Sequence, residues 1–524
     1  MRNIHFFSVL VPLSILMLSS ILQSEGTSEK EPTFPKIQFH LSDTIVLGKQ
    51  TALKYCQNCH IFPEPELLDK KTWLRSVLPN MAMRLGLNES GKSPYSDLSP
   101  EDSSTLRELS IYPDSPVISK EEWAEIIKYY ETEAPSVLPA QKTVSPIFDQ
   151  LPQFKAHFVT LTKKKVPKTT LLKFDKESSQ LYVGDAQNEL FIADSTYRLK
   201  ATVPTNSPPT DIDFPKNKSP RILTIGTVRP SDQKQGRLSA LDSNAYSLDI
   251  RNLQRPVQFA AGDLNKDGKE DLVICQFGNN SGKLSWFDNE NPSKEHILKA
   301  FPGARKVEIM DFNNDKSPDI MVLMAQARES ISIFYNQGKG RFKEKTVLEF
   351  PPVYGVSYFE TADFNNDGFQ DILMTNGDNW DYSAVLKPYH GIRIYLNDGR
   401  DNFKETLFYP LYGTSKAMAR DFDNDGDLDI AAISFYTELD QPEQSFMYLE
   451  NEGNFNFKAF STPEAAAGKW LTMEVGDFDK DGDMDIALGS YFHSVGEMTK
   501  LIFRGIETFP QLLILKNQKK NKTK

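Results

Sequence analysis

The chain has 524 residues, and 60 lysines and arginines against 71 aspartates and glutamates give it a formal net charge of −11. An acidic surface repels phosphate backbones, so this charge argues against a nucleic-acid partner. Hydrophobic residues at 39% and charged residues at 25% argue against a disordered chain or a polytopic membrane protein. The length predicts several domains or one large repeat architecture.

The first 26 residues have the pattern of a secretory signal peptide. Arg2 precedes an apolar run over residues 6–22, and the short stretch over residues 24–26 offers a cleavage point. An uncleaved anchor helix is the alternative, but the run is shorter than the roughly 20 residues that a membrane span needs. We therefore predict an exported protein, periplasmic, at the cell surface or secreted, without a transmembrane segment in the mature chain.

The next motif is Cys56-Gln-Asn-Cys59-His60, a C-x-x-C-H pattern typical of covalent haem c attachment. Two thiols one helical turn apart can form thioether bonds to the haem, and the adjacent His60 becomes the proximal iron ligand. A zinc site would need two further ligands, and the only other cysteine, Cys275, lies far along the chain in a predicted strand. A redox dithiol would need a thioredoxin-like context, which the sequence lacks. We predict one haem c.

The sixth haem ligand should be a methionine or histidine of the same small domain. Met81 is our first candidate and Met83 the second, with His40 and His157 as further alternatives. A capped amphipathic helix that begins after Ser119 closes the segment. We predict a small all-α cytochrome c domain over residues 40–133 and a linker over residues 134–150.

Five acidic loops of one pattern follow, at residues 263–271, 311–319, 363–371, 421–429 and 477–485. Their starts lie roughly 50 residues apart with strand-like sequence between them, a period that predicts one β-propeller blade per repeat. Two degenerate repeats precede them, which makes seven blades. The predicted fold is a small all-α cytochrome c domain followed by an all-β, seven-bladed propeller over residues 151–517, with a disordered basic tail over residues 518–524.

Each acidic loop places oxygen ligands at positions 1, 3, 5 and 9, usually with a glycine at position 6. Oxygen ligands without imidazole or thiolate favour Ca²⁺, up to five ions in all, and a solvated acidic turn is the alternative. In the second loop, Lys316 replaces the glycine and makes metal binding there less certain. The predicted ligands are Asp263, Asn265, Asp267, Asp271, Asp311, Asn313, Asp315, Asp319, Asp363, Asn365, Asp367, Asp371, Asp421, Asp423, Asp425, Asp429, Asp477, Asp479, Asp481 and Asp485.

These loops resemble the FG-GAP or VCBS-type repeats of integrin α-subunit propellers and of many secreted bacterial proteins, and the resemblance covers most of residues 170–517. It implies a propeller with calcium in its blade-edge loops. A cytochrome c domain followed by such repeats resembles a group of exported bacterial proteins, and this resemblance implies no particular reaction.

One of the degenerate repeats, Asp213 to Arg221, aligns with the acidic loops. Pro215 replaces the ligand at position 3 and Arg221 the aspartate at position 9. We hypothesise that the Arg221 guanidinium stands where the cation would be, so that this blade binds no metal. The other degenerate repeat, residues 174–185, is shorter and also lacks the ligand pattern.

The connections opposite the acidic loops lengthen in the last three blades and carry many aromatic and histidine side chains. These could form a binding surface for a carbohydrate or a protein, or could pack the loops down. The residues concerned are Trp380, Tyr382, Tyr389, His390, Tyr436, Tyr491, Phe492, His493 and Phe503.

Three functions remain open, and no Ser-His-Asp or Cys-His grouping assigns a catalytic residue. We favour an exported haem c electron-transfer protein with a calcium-stabilised propeller as docking platform, whose partner is a redox protein or a small-molecule electron donor. The first alternative is a haem-linked periplasmic oxidoreductase with its substrate site on the propeller face. The second is an adhesion or assembly module, which leaves the C-x-x-C-H motif unexplained.

Overall fold

The computed structural model describes residues 43–88, 91, 93–142, 144–242, 248–379, 383–436 and 441–518. The predicted signal peptide lies outside these residues, and so do His40, Trp380, Tyr382 and residues 519–524. Within the described residues, no helix is long and apolar enough to cross a membrane.

The described part of the chain begins with a helical segment over residues 43–133, which we call the helical cap. A 3₁₀ turn at Pro65–Leu67 precedes α2, and a π-helical turn at Trp73–Val77 joins α2 to α3. The five helices are α1 (Asp43–Cys56), α2 (Lys70–Thr72), α3 (Leu78–Arg84), α4 (Pro100–Glu108) and α5 (Lys120–Glu133). These helices are short, and whether the segment is a cytochrome c domain stays a prediction.

The core of the cap forms where α1 crosses α5. Ser119 and Glu122 form a reciprocal capping box at the start of α5, as expected from the sequence. Gly48 lets the two helices approach, because a Cβ there would lie 2.6 Å from the carbonyl oxygen of Glu125. Trp73 and Tyr130 pack in this core with ring centroids 4.4 Å apart. The cap is therefore held together by the close contact of α1 with α5 and by aromatic packing of the π-helical turn against α5.

The rest of the described chain forms seven four-stranded antiparallel blades, which confirms the predicted seven-bladed propeller. Blade 1 has β3 (Thr169–Asp175), β4 (Gln180–Asp185), β5 (Glu189–Ala193) and β6 (Leu199–Pro204). Blade 2 has β7 (Pro209–Asp213), β8 (Arg221–Thr224), β9 (Gly236–Ala240) and β10 (Asp249–Leu253). Blade 3 has β11 (Pro256–Gly262), β12 (Asp271–Gln276), β13 (Lys283–Phe287) and β14 (Glu295–Lys299).

The remaining blades repeat this order. Blade 4 has β15 (Ala304–Met310), β16 (Asp319–Met324), β17 (Ser330–Asn336) and β18 (Phe342–Glu349). Blade 5 has β19 (Val356–Ala362), β20 (Asp371–Asn376), β21 (Gly391–Asn397) and β22 (Phe403–Pro410). Blade 6 has β23 (Thr414–Arg420), β24 (Asp429–Ser434), β25 (Phe446–Asn451) and β26 (Phe457–Phe460). Blade 7 has β27 (Trp470–Gly476), β28 (Asp485–Ser490) and β29 (Leu512–Asn517), with the helix α6 (Val495–Ile502) before β29.

Two strands that precede blade 1 in the sequence pair with the last two blades, and one of them closes the ring. β2 (Phe154–Val159) pairs antiparallel with β29 as the outermost strand of blade 7, so the two ends of the propeller share one sheet. β1 (Ile147–Phe148) pairs parallel with β26 on the edge of blade 6. The predicted linker over residues 134–150 thus contains a short strand near its end. The last described strand, β29, is the third strand of blade 7.

The first strand of each blade lines the central channel, and first strands of successive blades contact one another until β27 meets β3. Each first strand has a register shift near its start, and each acidic loop follows its end. The second strands of blades 3 to 7 are buried at every position. The hydrophobic cores therefore lie between adjacent blades, where these apolar strands pack.

Candidate functional site

The helical cap lies over the channel end that is opposite the acidic loops. The buried Asp102 of α4 contacts blade 2. It accepts hydrogen bonds from Ser231 Oγ at 3.0 Å and from the backbone N–H of Asp232 at 2.7 Å. Arg84, at the end of α3, donates a hydrogen bond to Asn280 Oδ1 of blade 3 at 2.9 Å. Polar side chains at the ends of α3 and α4 thus attach the cap to two neighbouring blades.

Two further contacts fix the C-x-x-C-H region on blades 4 and 5. Arg328 Nε donates to the carbonyl oxygen of Cys59 at 2.6 Å. Tyr389 OH donates to the carbonyl oxygen of Leu67 at 3.0 Å. Val353 also packs against the apolar core of the cap. The motif is therefore held directly against the propeller.

A cavity of about 1830 Å³ separates the cap from the propeller and continues into the channel; we call it the mouth cavity. Its cap side is largely aromatic and aliphatic and includes Trp73, Leu78, Trp123 and Tyr130. Its propeller side carries nearly all of the charged lining residues, among them Lys306, Lys416 and Glu474, together with apolar residues of the first strands and the neighbouring loops. The cavity therefore has one apolar wall and one charged wall.

All three residues of the C-x-x-C-H motif line the apolar side of this cavity. Cys56 ends α1, and in the described chain both its thiol and that of Cys59 are free. Burial, with the Cys59 thiol nearby, raises the pKa of the Cys56 thiol to about 11. His60 Nδ1 lies 2.8 Å from the carbonyl oxygen of Ile61, so Nδ1 donates and Nε2 keeps its lone pair for a metal.

These residues fit a covalently attached haem. Trp123 lines the same cavity, and among the described residues its buried Nε1 has no hydrogen-bond partner, so an acceptor on a ligand would satisfy it. Of the predicted axial ligands, Met81 lines the cavity, whereas Met83 is absent from the described lining. His157 lies in β2, on the outer edge of blade 7. The geometry thus favours Met81 as the residue that shares the cavity with His60.

At the opposite end of the channel, the acidic loops share one conformation. In the fourth loop, Asp421 accepts the backbone N–H of Asp425 on Oδ1 at 3.0 Å and that of Gly426 on Oδ2 at 3.1 Å. Gly426 has φ of 101°, a value that favours glycine. In the second loop Lys316 takes the same position with φ of 67°. The loop conformation therefore persists in the second loop despite the missing glycine.

Positions 1, 3 and 5 of the acidic loops converge. One carboxylate oxygen from each of Asp421, Asp423 and Asp425 lies within 4.8 Å of the others, and the same holds for Asp477, Asp479 and Asp481. Three oxygens at this spacing fit one hard cation such as Ca²⁺. Lys516 forms salt bridges with Asp479 and Asp481, so a cation at the last loop would have to displace the lysine ammonium.

The aspartate at position 9 has a structural role that the sequence reasoning missed. Both oxygens of the fully buried Asp429 accept backbone N–H groups, from Phe422 at 3.3 Å and from Asn451 at 2.8 Å. The other four loops repeat this pair of bonds. Position 9 therefore ties each loop to the end of the third strand, and the recurring asparagine there was the available signal.

Blade 2 replaces this arrangement with an internal ion pair. Arg221, which is 1% exposed, donates through Nε to Asp213 Oδ1 at 2.8 Å and through Nη2 to the second oxygen. Its Nη1 donates to Glu290 at 2.8 Å and to Glu270 at 3.1 Å. The Arg221 guanidinium thus holds the position-1 carboxylate, and the absence of a metal from this blade stays a prediction.

Most of the predicted aromatic surface packs the loops down. Phe492 is fully buried, and His390 is 1% exposed. Tyr389 stacks on Tyr354 with ring centroids 5.2 Å apart. Tyr436, Tyr491 and His493 line the mouth cavity, and Phe503 remains 87% exposed. Of the two alternatives, packing of the loops therefore describes most of these rings within the described residues, because the cavity lining and the core contain them.

The sequence matches the profile of an FG-GAP-like repeat over residues 263–322, 311–374 and 421–488, which together contain all five acidic loops. These segments are FG-GAP-like repeats. No protein of curated function matches the chain.

Among solved structures, the chain is similar to the Pan2 WD40 domain of Neurospora crassa. The identity is 9% and the TM-score 0.41, over 70% of this chain and 96% of that one. It is also similar to the N-terminal domain of Nup159, with 12% identity and a TM-score of 0.39, over 72% of this chain and 98% of that one.

Proposed function

We propose that the protein is an exported electron-transfer protein that carries one haem c in the helical cap and uses its FG-GAP propeller as a calcium-stabilised binding platform. The observation that carries the proposal is the position of Cys56, Cys59 and His60 on the apolar wall of an internal cavity. A structural thiol pair would need no such cavity beside it. A haem bound there supplies a one-electron redox centre.

The chain's own residues would prepare this site. The bond between His60 Nδ1 and Ile61 orients the imidazole, since the second nitrogen of a metal-binding histidine fixes its tautomer. Trp73 and Trp123 form the apolar wall, which excludes water from the site. Arg328 holds the Cys59 carbonyl against blade 4, so the motif keeps its place relative to the propeller.

The test is to produce the full chain in an exporting host that attaches haem c and to measure haem per chain by the pyridine haemochrome assay. We expect one haem per chain, and none in a Cys56→Ala, Cys59→Ala double variant. Cys275→Ala is the matched control, because this thiol is buried in β12 away from the motif, and it should keep its haem. A haem-free wild-type protein from a host that matures a reference cytochrome c would contradict the proposal.

A haem-linked oxidoreductase is the second candidate, because the mouth cavity continues from the motif to the channel. A substrate at the propeller end would then lie in the same enclosed space as the redox centre. Anaerobic mixing of the oxidised protein with individual metabolites separates the two functions. Haem reduction by one metabolite alone supports the enzyme, whereas reduction only by a protein donor supports the carrier.

A further inference from the structure

The mouth cavity has a charge opposite to that of the whole protein. Its described lining contains eleven lysines and arginines against five aspartates and glutamates, although the chain as a whole has a net charge of −11. A cleft that is lined by one sign of charge concentrates ligands of the other sign. The cavity is therefore a candidate site for an anionic ligand.

The volume leaves room for such a ligand beside a group in the cap. Pockets for one small ligand usually measure roughly 300–1,000 Å³, and the mouth cavity measures about 1830 Å³. Its apolar wall lies under the helices and its charged wall at the channel entrance. Two ligands of different chemistry would therefore occupy different ends.

The charged wall contains two lysines on either side of one tyrosine. Lys306 lies in β15 of blade 4 and Lys416 in β23 of blade 6, and Tyr358 lies between them in β19 of blade 5. The ammonium groups of Lys306 and Lys416 lie 4.8 Å and 5.1 Å from the centre of the Tyr358 ring. All three occupy the same position after the register shift of their strands. They therefore form one layer of the channel entrance.

Thr472 occupies the same layer in blade 7. Within the described part of the chain its buried hydroxyl has no hydrogen-bond partner, and the residue lines the cavity. A buried hydroxyl without a partner is uncommon in folded proteins. A Cβ at position 489 would lie 2.3 Å from this hydroxyl, so it faces Gly489 of β28 and not the cavity.

The environment of Lys416 favours the binding of an anion beside it. Burial lowers the pKa of Lys416 to about 8, opposed by Glu474 and Glu360 and assisted by the nearby cations Lys173 and Lys306. Lys416 Nζ donates to the carbonyl oxygen of Met473 at 2.7 Å, which is a neutral partner. An anion between the lysines would relieve their mutual repulsion.

Acidic side chains also face this layer and limit where the anion can lie. Lys306 forms a salt bridge with Glu308, deeper in the channel. The buried Asp211 lies in the same layer in blade 2, and burial raises the pKa of its carboxyl group. The deeper layer carries Glu308, Glu360, Glu474 and Asp213 against Lys173, and Arg420 forms a salt bridge with Glu360, so acidic groups outnumber cations there. The favourable place is therefore above the lysines, on the side of the cap.

We propose that the propeller mouth binds a small organic anion with two or more carboxylate groups, held by Lys306 and Lys416. The proposal rests on the proposed function in that it assigns a ligand class to the cavity beside the haem motif. It places a small-molecule ligand next to the redox site, inside the protein.

The experiment is isothermal calorimetry of citrate binding to the full, calcium-loaded chain at pH 8, with the same free Ca²⁺ concentration in the cell and in the citrate syringe, because citrate itself binds Ca²⁺. We expect one citrate per chain, with proton uptake in buffers of different ionisation enthalpy, because a bound carboxylate favours the protonated form of Lys416. Lys416→Met and Lys306→Met should each weaken binding about tenfold or more, the loss expected for one charge-assisted hydrogen bond. Lys343→Met, on the exposed face of β18, is the matched control and should change affinity less than twofold.

Lys416→Arg keeps the charge and separates binding from folding: it should retain citrate affinity better than Lys416→Met. Equal affinity in the wild type and both methionine variants would overturn the proposal, and so would absence of any binding. Sulfate that binds as tightly as citrate, with the same dependence on Lys416, would point to an inorganic anion and overturn the organic class.

The double variant Cys56→Ala, Cys59→Ala distinguishes this proposal from the haem proposal. Citrate binding that persists in both the variant and the haem-loaded protein supports the anion site, whatever the haem content. Citrate that binds the double variant but not the haem-loaded protein would mean that the basic wall serves only the haem carboxylates, which overturns the proposal.

Discussion

Arg221 forms a two-pronged salt bridge with Asp213 at the position where five other blades have an acidic loop. The guanidinium also reaches the nearly buried Glu290, so one arginine holds carboxylates from blades 2 and 3. In blade 2 an internal arginine thus holds the position-1 carboxylate, which in the acidic loops is a predicted calcium ligand.

Removal of this charge should destabilise the propeller. We expect Arg221→Met to lower the free energy of unfolding by about 2 kcal/mol, because the partly buried Asp213 carboxylate loses its salt-bridge partner, whereas Glu290 keeps Lys218. The midpoint of urea unfolding measures the loss. Arg251→Met is the matched control: its salt bridge with Asp249 is exposed, so its loss should change the free energy of unfolding little. Equal losses in the two variants would contradict a special role for Arg221.

The five acidic loops should stabilise the fold only when calcium is present. A ligand that binds the native state alone adds about 2.7 kcal/mol per site at a concentration one hundred times its dissociation constant. We expect the melting temperature to fall on chelation and to recover with Ca²⁺. Asp425→Asn should remove one site from a calcium titration, whereas Asp398→Asn, in an exposed turn outside the acidic loops, should remove none.

Position 9 should behave differently from positions 1, 3 and 5. An asparagine at position 429 can accept only one of the two N–H groups that Asp429 holds, so we expect Asp429→Asn to cost about 2 kcal/mol even in a chelator. Asp425→Asn should cost little under the same conditions. Unfolding of both variants with and without calcium makes the comparison, and a loss at position 429 that appears only with calcium would contradict the structural role.

The sequence predicts the blades well because each acidic loop follows a channel-lining strand. The spacing between loops therefore gives the length of one blade. It does not predict the closing strand Phe154–Val159, because this strand pairs with β29 some 350 residues later. Such a pairing depends on the closed ring and leaves no local pattern.

The charged lining of the mouth cavity cannot be predicted from the sequence for a similar reason. In β15, Lys306 and Glu308 alternate with Val307 and Ile309, which indicates that one face of the strand is polar. The pattern does not indicate that this face meets Lys416 from blade 6 across Tyr358. The haem motif could be read from five residues, but its position over the channel depends on contacts such as Asp102 with Ser231, which connect segments distant in sequence.

Glu329 should give the protein a measurable pH dependence of stability. This glutamate is 3% exposed and accepts the backbone N–H groups of Gly355 at 3.2 Å and Val356 at 2.8 Å. Burial raises its pKa to about 7, partly offset by these two bonds and by the nearby Lys387. Its pKa in the unfolded chain is near 4.5. The native state therefore binds more protons than the unfolded state between these two values.

This difference in bound protons sets the direction in which the free energy of unfolding changes with pH. The contribution of Glu329 to stability falls as pH rises from about 4.5 to about 7, by about 3 kcal/mol in total, and is constant above that range. Glu329→Gln should remove this part of the slope while keeping one acceptor. Urea unfolding at pH 5 and pH 7.5 measures it, with Glu349→Gln, at the exposed end of β18, as control. A slope that is identical in wild type and Glu329→Gln would contradict the burial argument.

Met81 should be the residue that sets the potential of the proposed haem. It lines the cavity together with His60, and methionine ligation raises the reduction potential relative to an open or histidine-ligated site. We expect Met81→Ala to lower the potential in a spectroscopic redox titration and to let an added ligand such as imidazole bind the iron. Met83→Ala, two residues further along α3, should leave both properties unchanged. The reverse result would assign the ligand to Met83, and no change in either variant would mean that neither methionine binds the iron.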